Sequence, residues 1–165
     1  CRSALHAADS SKRLISTQEV IGDCSQLPTN NSNSSYNNPK LMKVLLSIKP
    51  QFVEQIIKGT KRYEFRKAIY KRTDIDTIVV YASSPVCRVV GEFKVDGILC
   101  ETPETLWQHT HDSAGITREF FDQYFDKRDK AYAIRIKSFL SYENPTKLTE
   151  AFPGKVPPQS FCYLA

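Results

Sequence analysis

The chain has 165 residues, 41% hydrophobic and 11% aromatic, which suffices for the core of one domain with a tail. No apolar run approaches the ~20 residues of a membrane-spanning helix, and residues 1–20 lack the apolar stretch of a usual signal peptide. The net charge of +5 is modest, but residues 58–72 alone carry seven basic side chains against one acidic, a footprint expected for an anionic ligand or else a solvated lysine-rich turn.

Residues 1–41 differ in character from the rest of the chain. The run Thr29-Asn-Asn-Ser-Asn-Ser-Ser-Tyr-Asn-Asn-Pro39 is polar and low in complexity, the composition of a flexible linker. Leu14, Ile15, Val20 and Ile21 allow one weak helix or strand but no core. The expectation is a tail or the remnant of an upstream region over 1–41 and a compact domain over 42–165. The start at Cys1 rather than Met fits a fragment or a processed product. Asn30-Asn-Ser32 and Asn33-Ser-Ser35 match the glycosylation pattern, which carries weight only in an exported protein.

Compact patterning begins at Met42. Residues 43–49 alternate as a strand, with Val44, Leu46 and Ile48 on one face and Leu45, Ser47 and Lys49 on the other. Pro50 suits the first position of a helix, Phe52, Val53, Ile56 and Ile57 form its apolar stripe, and Gly59 ends it. The next strand spans 58–67, with Tyr63 and Phe65 on one face and Arg62, Glu64 and Arg66 on the other. Residues 77–83 and 88–95 read as further strands. Thr102 caps a helix with Pro103 at its first position, and Gly115 stops it. Thr117 opens a second helix carrying Phe120, Phe121, Tyr124 and Phe125, a stripe read as structural. A strand over 131–137, with Tyr132, Ile134 and Ile136 inward, a turn centred on Leu148 and a last strand over 159–164 complete the chain. Five to six strands with about three short helices predict a small α+β domain with a curled, barrel-like sheet.

Strand ends in a curled sheet converge, so the polar residues on them gather into one candidate cleft. Ser47, Lys49, Arg62, Arg66, Ser83, Ser84, Gln159 and Ser160 are the ligand-binding candidates. Lys and Arg hold phosphate or carbonyl oxygens. Glu64 accepts from a base amino group or carries a proton, unless it only ion-pairs with Arg62, Arg66 or Lys49. The five cysteines are not spaced as a metal knuckle or redox pair, and Cys87, Cys100 and Cys162 lie among strand residues, which predicts reduced, packed thiols in a cytoplasmic protein. His109 and His111 lie two apart on a helix and share no face, so no metal site is expected. Trp107, Tyr63 and Tyr81 are read as core ahead of base-stacking platforms. No phosphate loop, zinc motif, nucleophile elbow or dinucleotide fingerprint is present, and no cofactor is expected.

Ser47-Ile-Lys-Pro50, Lys58-Gly-Thr-Lys-Arg-Tyr-Glu-Phe-Arg-Lys67, Tyr81-Ala-Ser-Ser-Pro85, Val90-Gly-Glu92 and Pro158-Gln-Ser-Phe161 together resemble the ASCH domain family. The likeness runs in order over about residues 42–164, and the segment around Tyr63 and Glu64 is its most specific piece. The resemblance implies a PUA-like β-barrel with helices at its ends, a cleft for RNA or a modified nucleotide, and RNA-related regulation. One branch of the family deacylates N4-acetylcytidine with a Lys, a Thr three residues later and a distal Glu. Lys61 matches the Lys, Glu64 stands in place of the Thr, and the region of the distal Glu reads Asp112-Ser-Ala-Gly115. The leading expectation is therefore an RNA or nucleotide binder. The alternative is a hydrolase acting on an acylated nucleoside or on RNA, with Lys61 and Glu64 as its catalytic pair. A module for an acidic protein partner is the third reading.

Overall fold

The structure, a computed structural model, describes residues 42–164; the expectations for the tail, Cys1, Cys24 and the two glycosylation patterns lie outside the described residues. The elements in chain order are β1 (Lys43–Ile48), α1 (Pro50–Ile57), β2 (Tyr63–Arg66), β3 (Thr77–Ala82), β4 (Arg88–Glu101), α2 (Pro103–Thr110), a 3-10 turn (His111–Ser113), α3 (Arg118–Tyr124), β5 (Ala131–Thr146), α4 (Leu148–Ala151) and β6 (Cys162–Leu164).

The six strands form one mixed sheet in the order β2-β5-β4-β3-β1-β6. β1 and β3 run parallel, because α1 and β2 intervene between them, and the other pairs are antiparallel. β4 and β5 are the long spine, at 14 and 16 residues, well beyond the predicted 88–95 and 131–137. Their mutual register shifts at Val89/Gly91, Lys94/Val95 and Val95/Gly97. Such bulges bend and twist a strand pair, so the spine curls instead of running flat. Gly91 lies where the spine is tightest, since a Cβ there would stand 2.4 Å from the Leu140 carbonyl oxygen.

The sheet is not closed into a barrel, which corrects the barrel-like expectation. Closure needs backbone hydrogen bonds between the two end strands. β2 and β6, at four and three residues, are not neighbours in the ladder. One side chain spans the gap instead. The Arg66 guanidinium on β2 donates to the Ser47 carbonyl of β1 at 3.4 Å and to the Ser160 carbonyl just ahead of β6. The two ends of the sheet thus face each other across a seam.

Apolar clusters flank the sheet. Val44, Leu46, Ile48, Ile78, Val80, Phe93 and Ile134 pack with Val53 and Ile56 of α1. Phe65, Leu106, Phe121, Phe125, Ala131 and Ala133 form a second cluster beneath α2 and α3, with Trp107 and Tyr63 packed against it. Leu45, Val79, Tyr81, Val89, Leu148 and Leu164 form a third. Ile57 departs from the predicted α1 stripe and is 52% exposed. The cysteines are free, but Cys87 and Cys100 are exposed and only Cys162 is half-buried, which corrects the packed-thiol expectation. Cys87 follows a turn, and Cys100 sits on the outward side of β4.

The helix caps agree with the sequence. The Thr102 and Thr117 hydroxyls accept from the backbone N–H of Thr105 and Phe120, each at 3.3 Å. Thr117→Ala is expected to cost about 1 kcal/mol in urea unfolding, by leaving an N-terminal donor of α3 without its cap. No loss beyond experimental error would show that the cap is immaterial.

Candidate functional site

The seam holds a cleft of about 250 Å³. Ser47, Ile48 and Lys49 of β1 and its end line one side, Glu64, Phe65 and Arg66 of β2 the other, with Gln159 from the segment before β6. Lys61, Phe52, Ile116, Phe120 and Tyr124 complete the wall.

Lys61 lies just before β2 and is 2% exposed. Its ammonium donates to the Ala114 carbonyl at 2.9 Å and lies 5.3 Å and 4.8 Å from the ring centroids of Phe52 and Phe65. Burial pushes its pKa down, and the Glu64 carboxylate partly restores it. Glu64 is 6% exposed. Burial pushes its carboxyl pKa up, against the opposing pull of Lys61 and Arg66, whose guanidinium stands 3.6 Å away. Burial thus disfavours the charged form of both groups, while each group's charge favours that of the other. Ser47 Oγ is buried and has no hydrogen-bond partner in the structure. Lys49 at the rim is exposed, with its ammonium 5.9 Å from the Phe120 ring centroid.

Gly115 sets this geometry from behind. It adopts φ +65°, and a Cβ there would stand 2.7 Å from Cβ of Lys61 and 2.7 Å from Gln55 Oε1. The chain therefore needs glycine both for the left-handed conformation and for close packing on the lysine stem.

Of the residues predicted from sequence, the cleft brings together Ser47, Lys49, Lys61, Glu64, Arg66 and Gln159. Ser160 contributes its carbonyl to Arg66 rather than its hydroxyl to the cleft lining. Ser83 and Ser84 lie in the turn after β3 and do not line it. Arg62 does not either. The regular alternation expected over 58–67 breaks before Tyr63, where β2 begins, so Lys61 takes the inward place and Arg62 faces a different groove with Tyr63, Asp96 and Arg135. Arg66 also differs from a free ligand-binding cation, because part of its donor fork is held by the two carbonyls that bridge the seam.

Sequence reasoning misses the aromatic wall. Phe120 is 36% exposed and Tyr124 half-buried, and both line the cleft, whereas Phe121 and Phe125 are core. Reading four aromatics as one structural stripe hides two pairs, each four residues apart, on adjacent faces of α3. Phe52 packs edge-on against Phe120 at 5.6 Å. His109 and His111 pair with Glu101 and Asp112 on the surface, and no cluster with metal-ligand geometry occurs among the described residues. None of the described helices is long and apolar enough to cross a membrane.

A mixed sheet whose ends meet over a cleft lined by both ionic and aromatic side chains defines an open α+β domain with its polar site at the seam. The ASCH domain profile matches residues 46–139, and the chain belongs to the ASCH domain family. A crystal structure of ASCH from Zymomonas mobilis superposes with a TM-score of 0.69 at 28% identity, covering 74% of this chain and 87% of that one. The ASCH domain-containing ribonuclease of Zymomonas mobilis is 28% identical over 128 residues, 76% of this chain and 86% of that protein. The large ribosomal subunit protein uL22 of Ureaplasma parvum is 33% identical over 98 residues, 58% of this chain. The match spans 31% of the length of that protein.

Proposed function

We propose that this domain binds single-stranded RNA or a nucleotide in the seam cleft. The observation that carries the reading is the enclosure of Lys61, Glu64 and Arg66 beside a rim cation, Lys49, and an aromatic wall. A nucleotide has a flat ring with apolar faces, a polar edge and a charged phosphate. Phe120 and Tyr124 suit stacking on the ring, the floor groups suit its edge, and Lys49 suits the phosphate. The ribonuclease relative in Zymomonas mobilis supports RNA as the ligand class. The cytoplasm and a self-contained domain from about residue 42 fit this reading.

Titrating a fluorescent single-stranded RNA with the protein at several salt concentrations tests it. Affinity is expected to fall steeply with salt, and Lys49→Ala to flatten the slope of log K against log salt by about 0.7, the share of one phosphate contact on a single strand. Salt-insensitive binding, or none to RNA, DNA or nucleosides, would refute the reading.

A second reading, a hydrolase, is favoured by one observation: two buried ionisable groups, Lys61 and Glu64, displaced toward neutrality in the same cleft. One such group removes a proton from an attacking hydroxyl or water, and the other protonates the leaving atom. RNA and N4-acetylcytidine are the substrates to incubate, with chromatography of the products. Product formation no greater than that of Lys61→Ala and Glu64→Ala variants retires this reading.

A further inference from the structure

Arg62, the basic residue that the cleft leaves out, opens onto a separate groove of about 360 Å³. Tyr63, Asp96, Ser113, Arg135 and Lys137 line it. Arg135 and Lys137 on β5 are both exposed, on either side of buried Ile136, and both line the groove. Tyr63 pairs with Arg135 in the ladder, and the Arg62 carbonyl accepts from the Ile136 N–H at 2.9 Å, which fixes Arg62 beside them. Three cations thus meet in one concavity with a single carboxylate. Asp96 is already engaged by Arg135 at 2.7 Å, and Arg62 and Lys137 have no ion-pair partner among the described residues. The groove is not isolated. A smaller hollow between them is lined by Arg62 and Lys137, which also line the groove, and by Lys61, which also lines the cleft, so the two sites lie on either side of the start of β2.

We propose that this groove is a second anion site, which holds a phosphodiester group of the same RNA strand whose nucleotide occupies the cleft. The inference rests on the RNA reading above and extends it from one nucleotide to a strand path. A concave surface with two uncompensated cations concentrates phosphate, and the planar Arg62 fork takes its oxygens in pairs. The polar lining, without an exposed aromatic face beyond Tyr63, suits backbone rather than base.

The test compares wild type with Arg62→Ala/Lys137→Ala, using a single-stranded RNA of about 12 nucleotides and a mononucleotide. The double variant is expected to bind the strand about tenfold more weakly at low salt, with its salt slope reduced by about 1.4, two single-strand phosphate contacts. Mononucleotide affinity is expected to stay unchanged, and Arg62→Lys/Lys137→Arg to restore the slope. Equal slope and strand affinity in wild type and double variant overturn the proposal while leaving the cleft reading intact. Failure of wild type to bind either RNA overturns both. Orthophosphate provides the remaining arm. If it raises the melting temperature of wild type only, while strand affinity is the same in both proteins, the groove takes free phosphate and the strand path is wrong.

Discussion

Glu64→Ala is expected to lower the unfolding free energy by about 3–5 kcal/mol, the usual cost of removing one partner from a buried charged cluster. The reason lies in what remains. Lys61 and Arg66 are 2% and 9% exposed, and without the carboxylate two cations share a low-dielectric floor. This does not make the cluster a net source of stability. Its members give up hydration on burial, which is why the Glu64 pKa rises despite two cationic neighbours. Glu64→Gln is expected to cost less, since the carboxamide keeps the shape and an oxygen for Arg66. Urea titration of the three proteins measures this, and an alanine variant within about 1 kcal/mol of wild type would contradict it.

The glutamine variant also isolates the pH dependence. A carboxyl raised by folding contributes stability that is fully present below its unfolded pKa, about 4.3, and is lost as pH rises through the folded value. Wild-type stability minus that of Glu64→Gln is therefore expected to decline from about pH 4.3 upward and then level off. Lys61, whose pKa is lowered, has the opposite course: its contribution is present above about pH 10.4 and is lost as pH falls through the folded value. A difference curve that rises or stays flat on the acid side would show that burial does not dominate at Glu64.

The second large effect is expected from Gly115→Ala, at about 2–4 kcal/mol. The left-handed backbone and the overpacking each contribute, since the added methyl meets the Lys61 stem and Gln55 Oε1 at 2.7 Å. Lys61 is the group that must give way, and its bond to the Ala114 carbonyl depends on the same turn. The variant is therefore expected to lose the RNA or nucleotide binding proposed for the cleft at temperatures where it is still folded. Gly59→Ala is the control, since it shares a positive φ but has nothing within 4 Å of the added methyl. Equal losses in the two variants would attribute the effect to backbone conformation alone.

Much of the cleft is legible in the chain because its polar groups sit on strands with clear alternation. Ser47 and Lys49 alternate with the core residues Val44, Leu46 and Ile48 in the sequence, and both reach the cleft, although Ile48 at the end of β1 lines it too. Alternation misplaces Arg62 because it holds only while a strand lasts, and β2 starts one residue later. Phe120 and Tyr124 escape a sequence reading because an aromatic on a helix looks the same whether it meets a core or a cavity. The exposed cysteines escape it for a related reason: apolar neighbours in sequence do not say which face of a strand is covered.

The sequence by itself determined the local elements: the strands β1 and β3, the proline start and glycine end of α1, the threonine caps of α2 and α3, and the concentration of charge over 58–72. These depend on contacts within a few residues, which composition and spacing specify. The tertiary structure alone decided that the sheet stays open, that Arg66 spans its seam, and that the basic segment divides between a cleft and a groove. Those outcomes depend on contacts between residues too far apart in the chain for any local pattern to encode, among them the Arg66 bonds to Ser47 and Ser160 and the bulged register of β4 against β5.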